Sequence, residues 1–79
     1  MERYHFNLHE RSGFVQDEEG RELPGMAEVR SEALKGVRSL VAEDAIRGRI
    51  DLSGRIEVLD SKGLVVFALS FGDAVEILR

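Results

Sequence analysis

The chain has 79 residues, a net charge of −4 and no cysteine. A chain of this length forms one small domain, residues 1–79, which buries only about 60% of the surface exposed by its unfolded form. Disulfides and thiolate metal sites are excluded, so good packing or oligomerisation must supply the missing stability. The acidic charge argues against nucleic acid as a partner. With no long apolar run and no leader-like N-terminus, we expect no membrane partner and a cytoplasmic location.

The N-terminal segment, residues 3–8, alternates between apolar and polar side chains. A period of two with aromatic residues is typical of a half-buried strand. A turn and a second short strand over residues 14–16 complete a predicted hairpin. Residues 17–20 are acidic and predict a solvated turn. Residues 21–23 should then run extended, since the residue before Pro24 avoids helical conformations.

One long helix is predicted over residues 26–47, and Gly48 is its expected left-handed stop. At 1.5 Å per residue the helix would be about 30 Å long. Gly36 costs about 1 kcal/mol relative to alanine in a helix, so we expect a bend there or the close approach of another element. Apolar residues at spacings of three and four trace one stripe: Met26, Val29, Ala33, Leu34, Val37, Leu40, Val41 and Ala45.

Two more strands follow the helix. Residues 55–59 alternate, and residues 60–63 predict a tight hairpin turn. Residues 64–69 are apolar at every position, which is typical of a central strand with both faces covered. The tail is predicted as a short helical turn over residues 71–75, capped by Ser70, or as an edge strand over residues 73–77.

These elements predict an α+β fold with two layers, an antiparallel sheet of about four strands packed on one long helix. The order is ββαββ, followed by the short C-terminal helical turn or strand. The helix can cover only one face of the sheet, so the other side of the fourth strand needs the tail or another chain. We therefore predict an interaction surface formed by Leu64, Val66, Ala68 and Ile77.

Few residues point to chemistry. His5 and His9 lie four apart on one strand, and with Asn7 between them they could bind a metal or an anion. They are equally explained as solvated polar residues on an open sheet face. The acidic residues lack the graded spacing of a calcium loop and are better explained by a solvated turn: Asp17, Glu18, Glu19 and Glu22.

A small basic group, Arg47, Arg49 and Arg55, could hold a phosphate or an acidic partner. Arg47 is also what the C-terminus of a helix favours. The serines lie in turns, caps or on the helix surface, and the glycines do not cluster as in a phosphate-binding loop. We therefore expect no catalytic residue, no cofactor, no metal and no enzymatic activity.

Five segments form a familiar pattern: RYHFNL at 3–8, DEEGRELP at 17–24, SEAL at 31–34, GRIEV at 54–58 and FGDAVEI at 71–77. Together they resemble a family of small bacterial domains of unknown function. This resemblance implies a single-domain bacterial protein and carries no ligand or catalytic residue. The motifs ELPG at 22–25 and EAL at 32–34 resemble HicB-type antitoxins, in which a short sheet leads through such a segment into a helix.

The function predicted from the sequence is a non-enzymatic protein-interaction module that self-associates as a homodimer or binds another protein. One alternative is a small-molecule or metal-binding protein that uses the open sheet face around His5, Asn7 and Glu57. The other, implied by the second resemblance, is an antitoxin-like partner of an RNase toxin.

Overall fold

The computed structural model describes all residues, 1–79, and packs one helix on one antiparallel sheet, which confirms the predicted α+β fold. None of its helices combines the length and apolar character that a membrane crossing requires. The elements are β1 (Glu2–Glu10), β2 (Gly13–Val15), β3 (Arg21–Leu23), α1 (Met26–Ile46), β4 (Arg55–Leu59), β5 (Val65–Ser70) and a 3₁₀ turn (Phe71–Asp73).

The longest strand, β1, organises the sheet. The strand order in the sheet is β2-β1-β4-β5, and β3 also pairs with β1. Both β2 and β3 lie on the same side of β1, with Val15 opposite Leu8 and Leu23 opposite Glu2. The sheet therefore has five strands rather than the predicted four. The additional strand, β3, is the segment that we predicted only as extended, because three residues before a proline carry too little pattern to predict pairing.

The core lies between α1 and one face of the sheet. Its apolar residues are Tyr4, Val29, Ala33, Val37, Ile56, Val58, Phe71 and Ala74. The predicted stripe is confirmed from Val29 to Val41, because Val29, Ala33 and Val37 are fully buried and Leu40 and Val41 are partly buried against the core. Ala45 is exposed, contrary to its place in the stripe, because the last turn of α1 extends beyond the buried core.

Two glycines test the predicted helix geometry. Gly48 has a φ of +87°, which confirms the left-handed stop. A methyl group at Gly36 would meet no atom within 4 Å, so the alternative of a close approach there is wrong. Gly36 lies on the exposed side of α1.

The prediction that residues 64–69 form a central strand is wrong, because β5 is the last strand of the sheet. Phe67 and Leu69 are half-buried and pack against the core. Val65, Val66 and Ala68 remain exposed. Apolar composition indicated correctly that the strand has a buried side, but nothing in this chain covers the other side.

The C-terminal tail forms the predicted helical turn, and the alternative of an edge strand is wrong. The backbone N–H of Asp73 donates to Ser70 Oγ at 3.3 Å, which is the predicted cap. Phe71 and Ala74 are buried in the core, and Arg38 Nε of α1 donates to the carbonyl of Ala74 at 2.8 Å. The tail therefore packs beside the helix and leaves the open side of β5 uncovered.

Candidate interaction surface

A run of exposed apolar residues lies at the start of β5 and in the turn before it. The side chains of Leu64, Val65 and Val66 are 62%, 55% and 37% exposed, and Ala68 is exposed as well. We refer to these four residues as the β5 patch. The strand Val65–Ser70 carries no charged residue. Its outer edge has no neighbouring strand, so its backbone groups are available for another chain.

A bulge shapes this patch. Phe67 pairs with Val58, but the next pair joins Val65 to Leu59, so Val66 is an extra residue on β5. An extra residue bends the strand and increases its twist. Here it also places one more apolar side chain at the exposed end of the strand.

The opposite edge of the sheet is short and interrupted. It is formed by β2 and β3, which have three residues each. The loop over residues 16–20, which we refer to as the acidic loop, separates them. Arg21 and Glu22 place charges on β3, whereas β2 is uncharged and exposes Phe14 and Val15. Short strands, an interrupted edge and charged side chains are devices that prevent pairing between sheets. Beyond the bulge, from Phe67 to Ser70, the edge of β5 pairs regularly with β4 and is uncharged, and β5 is longer than β2 or β3.

Three of the four residues predicted as an interaction surface lie together. Leu64, Val66 and Ala68 are all in the β5 patch. Ile77 is 61% exposed but belongs to the tail, which has already turned toward α1 at Ala74. Val65 was missed, because a regular alternation would have placed it on the same side as Phe67; only the bulge reveals its exposure.

Polar residues border the patch on the open face of the sheet. Ala68 lies opposite Glu57 of β4. His9 Nε2 donates to Glu57 Oε1 at 2.8 Å, and Arg55 Nε lies 3.5 Å from Glu57 Oε2. The hydrogen bond from His9 and the charge of Arg55 hold the pKa of Glu57 below its usual value. An apolar strip along β5 thus adjoins a charged strip along β4.

The acidic loop folds over the other end of this face. Asn7 is the one buried polar side chain, and its Oδ1 accepts from the N–H of Asp17 at 2.8 Å. Asp17 accepts in turn from the N–H groups of Phe6 and Gly20, each at 3.0 Å. Partial burial alone would raise the pKa of Asp17, but these two hydrogen bonds lower it. Asp17 is thus a structural residue of the loop.

The two histidines do not share a partner. His5 Nδ1 donates to the carbonyl of Asp17 at 2.7 Å, whereas His9 is bound to Glu57. No three side chains among His, Asp and Glu lie close enough together to hold a metal ion. The predicted open face is therefore divided between two separate hydrogen-bonding groups.

A cleft of about 470 Å³ lies where the helix ends, near the turn between β1 and β2. Arg47 and Arg49 line it, but Arg55 does not, so the predicted basic group is not brought together as a whole. Arg11 also lines it and donates to Asp51 at 2.8 Å, which lowers the pKa of this aspartate. The cleft contains as many carboxylates as guanidinium groups: Glu10, Asp44 and Asp51 face Arg11, Arg47 and Arg49.

A second cleft, of about 360 Å³, lies between the acidic loop and the turn before β5. His5 and Asn7 line it together with Asp60 and Ser61, and its lining is almost entirely polar. Glu57, which the small-molecule alternative placed with His5 and Asn7, does not line this cleft. The structure brings together two of these three predicted residues.

Comparisons with known proteins give one match. Residues 3–72 match the family model described as a domain of unknown function, DUF6894. No curated protein and no solved structure matches the chain. The likeness to HicB-type antitoxins is not shown by any of these comparisons. Because the matched segment spans most of the 79 residues, the chain belongs to the DUF6894 family.

Proposed function

We propose that this domain is a non-enzymatic protein-interaction module that binds its partner along β5. The observation that carries this proposal is the uncharged, unpaired edge of β5 together with its exposed β5 patch. Addition of a strand at such an edge supplies backbone hydrogen bonds, and alternate side chains supply specificity. The opposite edge consists of two strands of three residues each, of which β3 is charged, so the longer edge of β5 is the favoured binding edge.

The polar groups of the domain support a structural rather than a catalytic role. The carboxylate of Asp17 and the imidazole of His5 are both engaged in holding the acidic loop. The carboxylate of Glu57 is bound to His9. A general acid or base needs a group that is free to exchange a proton with a substrate, and these three groups are instead committed to partners within the fold.

The proposal is tested with two matched variants, Ala68→Lys and Ala42→Lys. Both replace an exposed alanine by lysine, but Ala68 lies on β5 and Ala42 on α1. The tagged wild-type chain should capture a defined protein, or a second copy of itself, and Ala68→Lys should lose it while Ala42→Lys retains it. The purified partner should also slow amide hydrogen exchange in β5.

Two outcomes would contradict this function. One is a partner that Ala68→Lys binds as well as the wild type does. The other is a chain that binds no protein and no second copy of itself, so that the amides of β5 exchange at the same rate under every condition.

The cleft beside His5 and Asn7 favours a second candidate, the binding of a small polar ligand. Ser61 and Asp60 would supply further hydrogen-bonding groups. Chemical shifts of the His5 ring and the Asn7 amide, followed by NMR during titration with a library of polar metabolites, test it. A ligand in the cleft should shift both residues and leave Phe14 unchanged, whereas no shift at millimolar ligand would exclude the cleft as a site.

A further inference from the structure

The folded chain exposes more surface than its size requires. Its accessible surface is 5509 Å² for a mass of 8.8 kDa. Compact monomers of this mass expose about 4,800 Å², so the excess is about 700 Å². A standard protein–protein interface buries about 800 Å² on each partner. The surplus is therefore of the size that one partner would cover.

The edge of β5 is suited to pairing with a copy of itself. It has no charged side chain, so two identical strands can lie side by side without repulsion. Lys62 precedes the strand and Asp73 follows it. An antiparallel arrangement brings each lysine toward the aspartate of the other copy, whereas a parallel arrangement would bring like charges together.

Building on the proposed interaction module, we propose that its partner is a second copy of this chain, paired antiparallel through β5 about a two-fold axis. In an antiparallel pair, residues that face the same side of the sheet lie opposite each other. The axis must therefore pass between two copies of one residue. The result is a continuous sheet across both copies, with both helices on the same face.

The side chains of β5 favour Ala68 as the residue on this axis. Arg30 lies over the ring of Phe67, with 6.0 Å between its guanidinium carbon and the ring centroid. An axis at Phe67 would bring both arginines together. With Ala68 on the axis, Phe67 instead lies opposite Leu69 of the partner on the helix side of the sheet. Ala68 then lies opposite its own copy on the open face, where two small side chains meet without a clash.

Sedimentation equilibrium of the wild-type chain at micromolar concentration tests this inference. We expect a particle of twice the 8.8 kDa chain mass. Ala68→Lys should raise the dissociation constant by about tenfold or more, because it places two like charges opposite each other on the axis. Ala42→Lys should leave the dissociation constant unchanged, and circular dichroism should show both variants folded.

A single cysteine provides a second test that does not depend on a destabilising change. The chain has no cysteine of its own, so Ala68→Cys carries the only thiol. Directly opposite residues of an antiparallel pair are close enough for a disulfide. Under mild oxidation Ala68→Cys should form a linked dimer much faster than Ser39→Cys, whose thiol would lie on the exposed surface of α1.

The outcomes separate the two proposals. A wild-type chain that is monomeric at all accessible concentrations, but captures another protein through β5, overturns the dimer and supports the interaction module. A dimer that is unaffected by Ala68→Lys, or that links no faster through Ala68→Cys than through Ser39→Cys, places the interface elsewhere and overturns this inference. A monomer without any β5-dependent partner overturns both.

Discussion

The buried side chain of Asn7 accepts a hydrogen bond from the backbone N–H of Asp17 at 2.8 Å. The central strand thereby holds the loop between β2 and β3. The carboxylate of Asp17 forms a second hydrogen bond with β1, since it accepts from the N–H of Phe6. The pairing of β3 with β1 depends on the path of this loop, so these two residues support a strand that has little pattern of its own.

Replacement of Asn7 by alanine should destabilise the fold. The N–H of Asp17 would lose its acceptor, and an unsatisfied polar group in such a site costs about 1–3 kcal/mol. Urea unfolding at a fixed protein concentration measures the free energy of unfolding. Gln16→Ala is the control, because Gln16 is an exposed neighbour whose side chain is not needed by the loop. Equal effects of the two variants would contradict the role of Asn7.

The free energy of unfolding should fall in acid because of Asp17, Asp51 and Glu57. Folding lowers the pKa of the two aspartates from their usual 3.8 and that of Glu57 from 4.5. A group with a lowered pKa in the folded state stabilises it fully above the usual value, and this contribution is lost as the pH falls through the folded value. We therefore expect the decline to begin near pH 4.5 and to steepen below pH 3.8.

Urea titrations between pH 6 and pH 3 measure this dependence. Asp17→Asn should give a shallower decline than the wild type, because Asp17 no longer takes up a proton. Glu76→Gln is the matched control, since Glu76 is exposed in the tail. The assignment would be wrong if Asp17→Asn and Glu76→Gln gave the same slope.

Two glycines should respond to alanine in opposite directions. Gly36→Ala should stabilise the fold by about 0.5–1 kcal/mol, because the methyl group meets no neighbour and the helix gains propensity. Gly54→Ala should destabilise it by about 1–3 kcal/mol, since overpacking strains a core. There the new Cβ would lie 2.8 Å from Phe71 Cε2 and 3.0 Å from the carbonyl oxygen of His9. Thermal unfolding of both variants checks the signs, and a stabilising Gly54→Ala would contradict the packing.

The 3₁₀ turn should contribute to stability through Phe71. This ring is 3% exposed, and loss of a buried phenylalanine side chain costs about 3–5 kcal/mol. Phe14→Ala is the matched control, because Phe14 is 55% exposed and contacts the ring of His9 at one edge of the sheet. A small effect of Phe71→Ala in urea unfolding would mean that the tail is dispensable for the core.

The elements with strong periodicity could be predicted from the sequence. The alternation of Tyr4 and Phe6 indicated β1, and the apolar spacing from Val29 to Val37 indicated the buried side of α1. These patterns are local, because each residue's side is determined by its own position in the strand or helix. Gly48 could be predicted for the same reason, since its φ depends only on how the helix ends.

Features that depend on distant residues could not be predicted. The bond from Asn7 to Asp17 and the pairing of β3 depend on how the loop returns to β1. The apolar run over residues 64–69 correctly predicted a strand with an uncovered side. Composition alone cannot show whether the rest of the chain covers both faces of such a strand. The bulge at Val66 depends on the register with β4, so the exposure of Val65 had no sequence signal.

Burial along α1 is uneven, with Val29, Ala33 and Val37 fully buried and Ile46 86% exposed. We therefore expect amide hydrogens from Val29 to Val37 to be protected until the whole domain unfolds, whereas those in the last turn can exchange by fraying. A fusion or an insertion near Arg47 should be tolerated for the same reason. One continuous helix thus contains a buried part that opens only when the whole domain unfolds and an exposed end that can open and close while the domain stays folded.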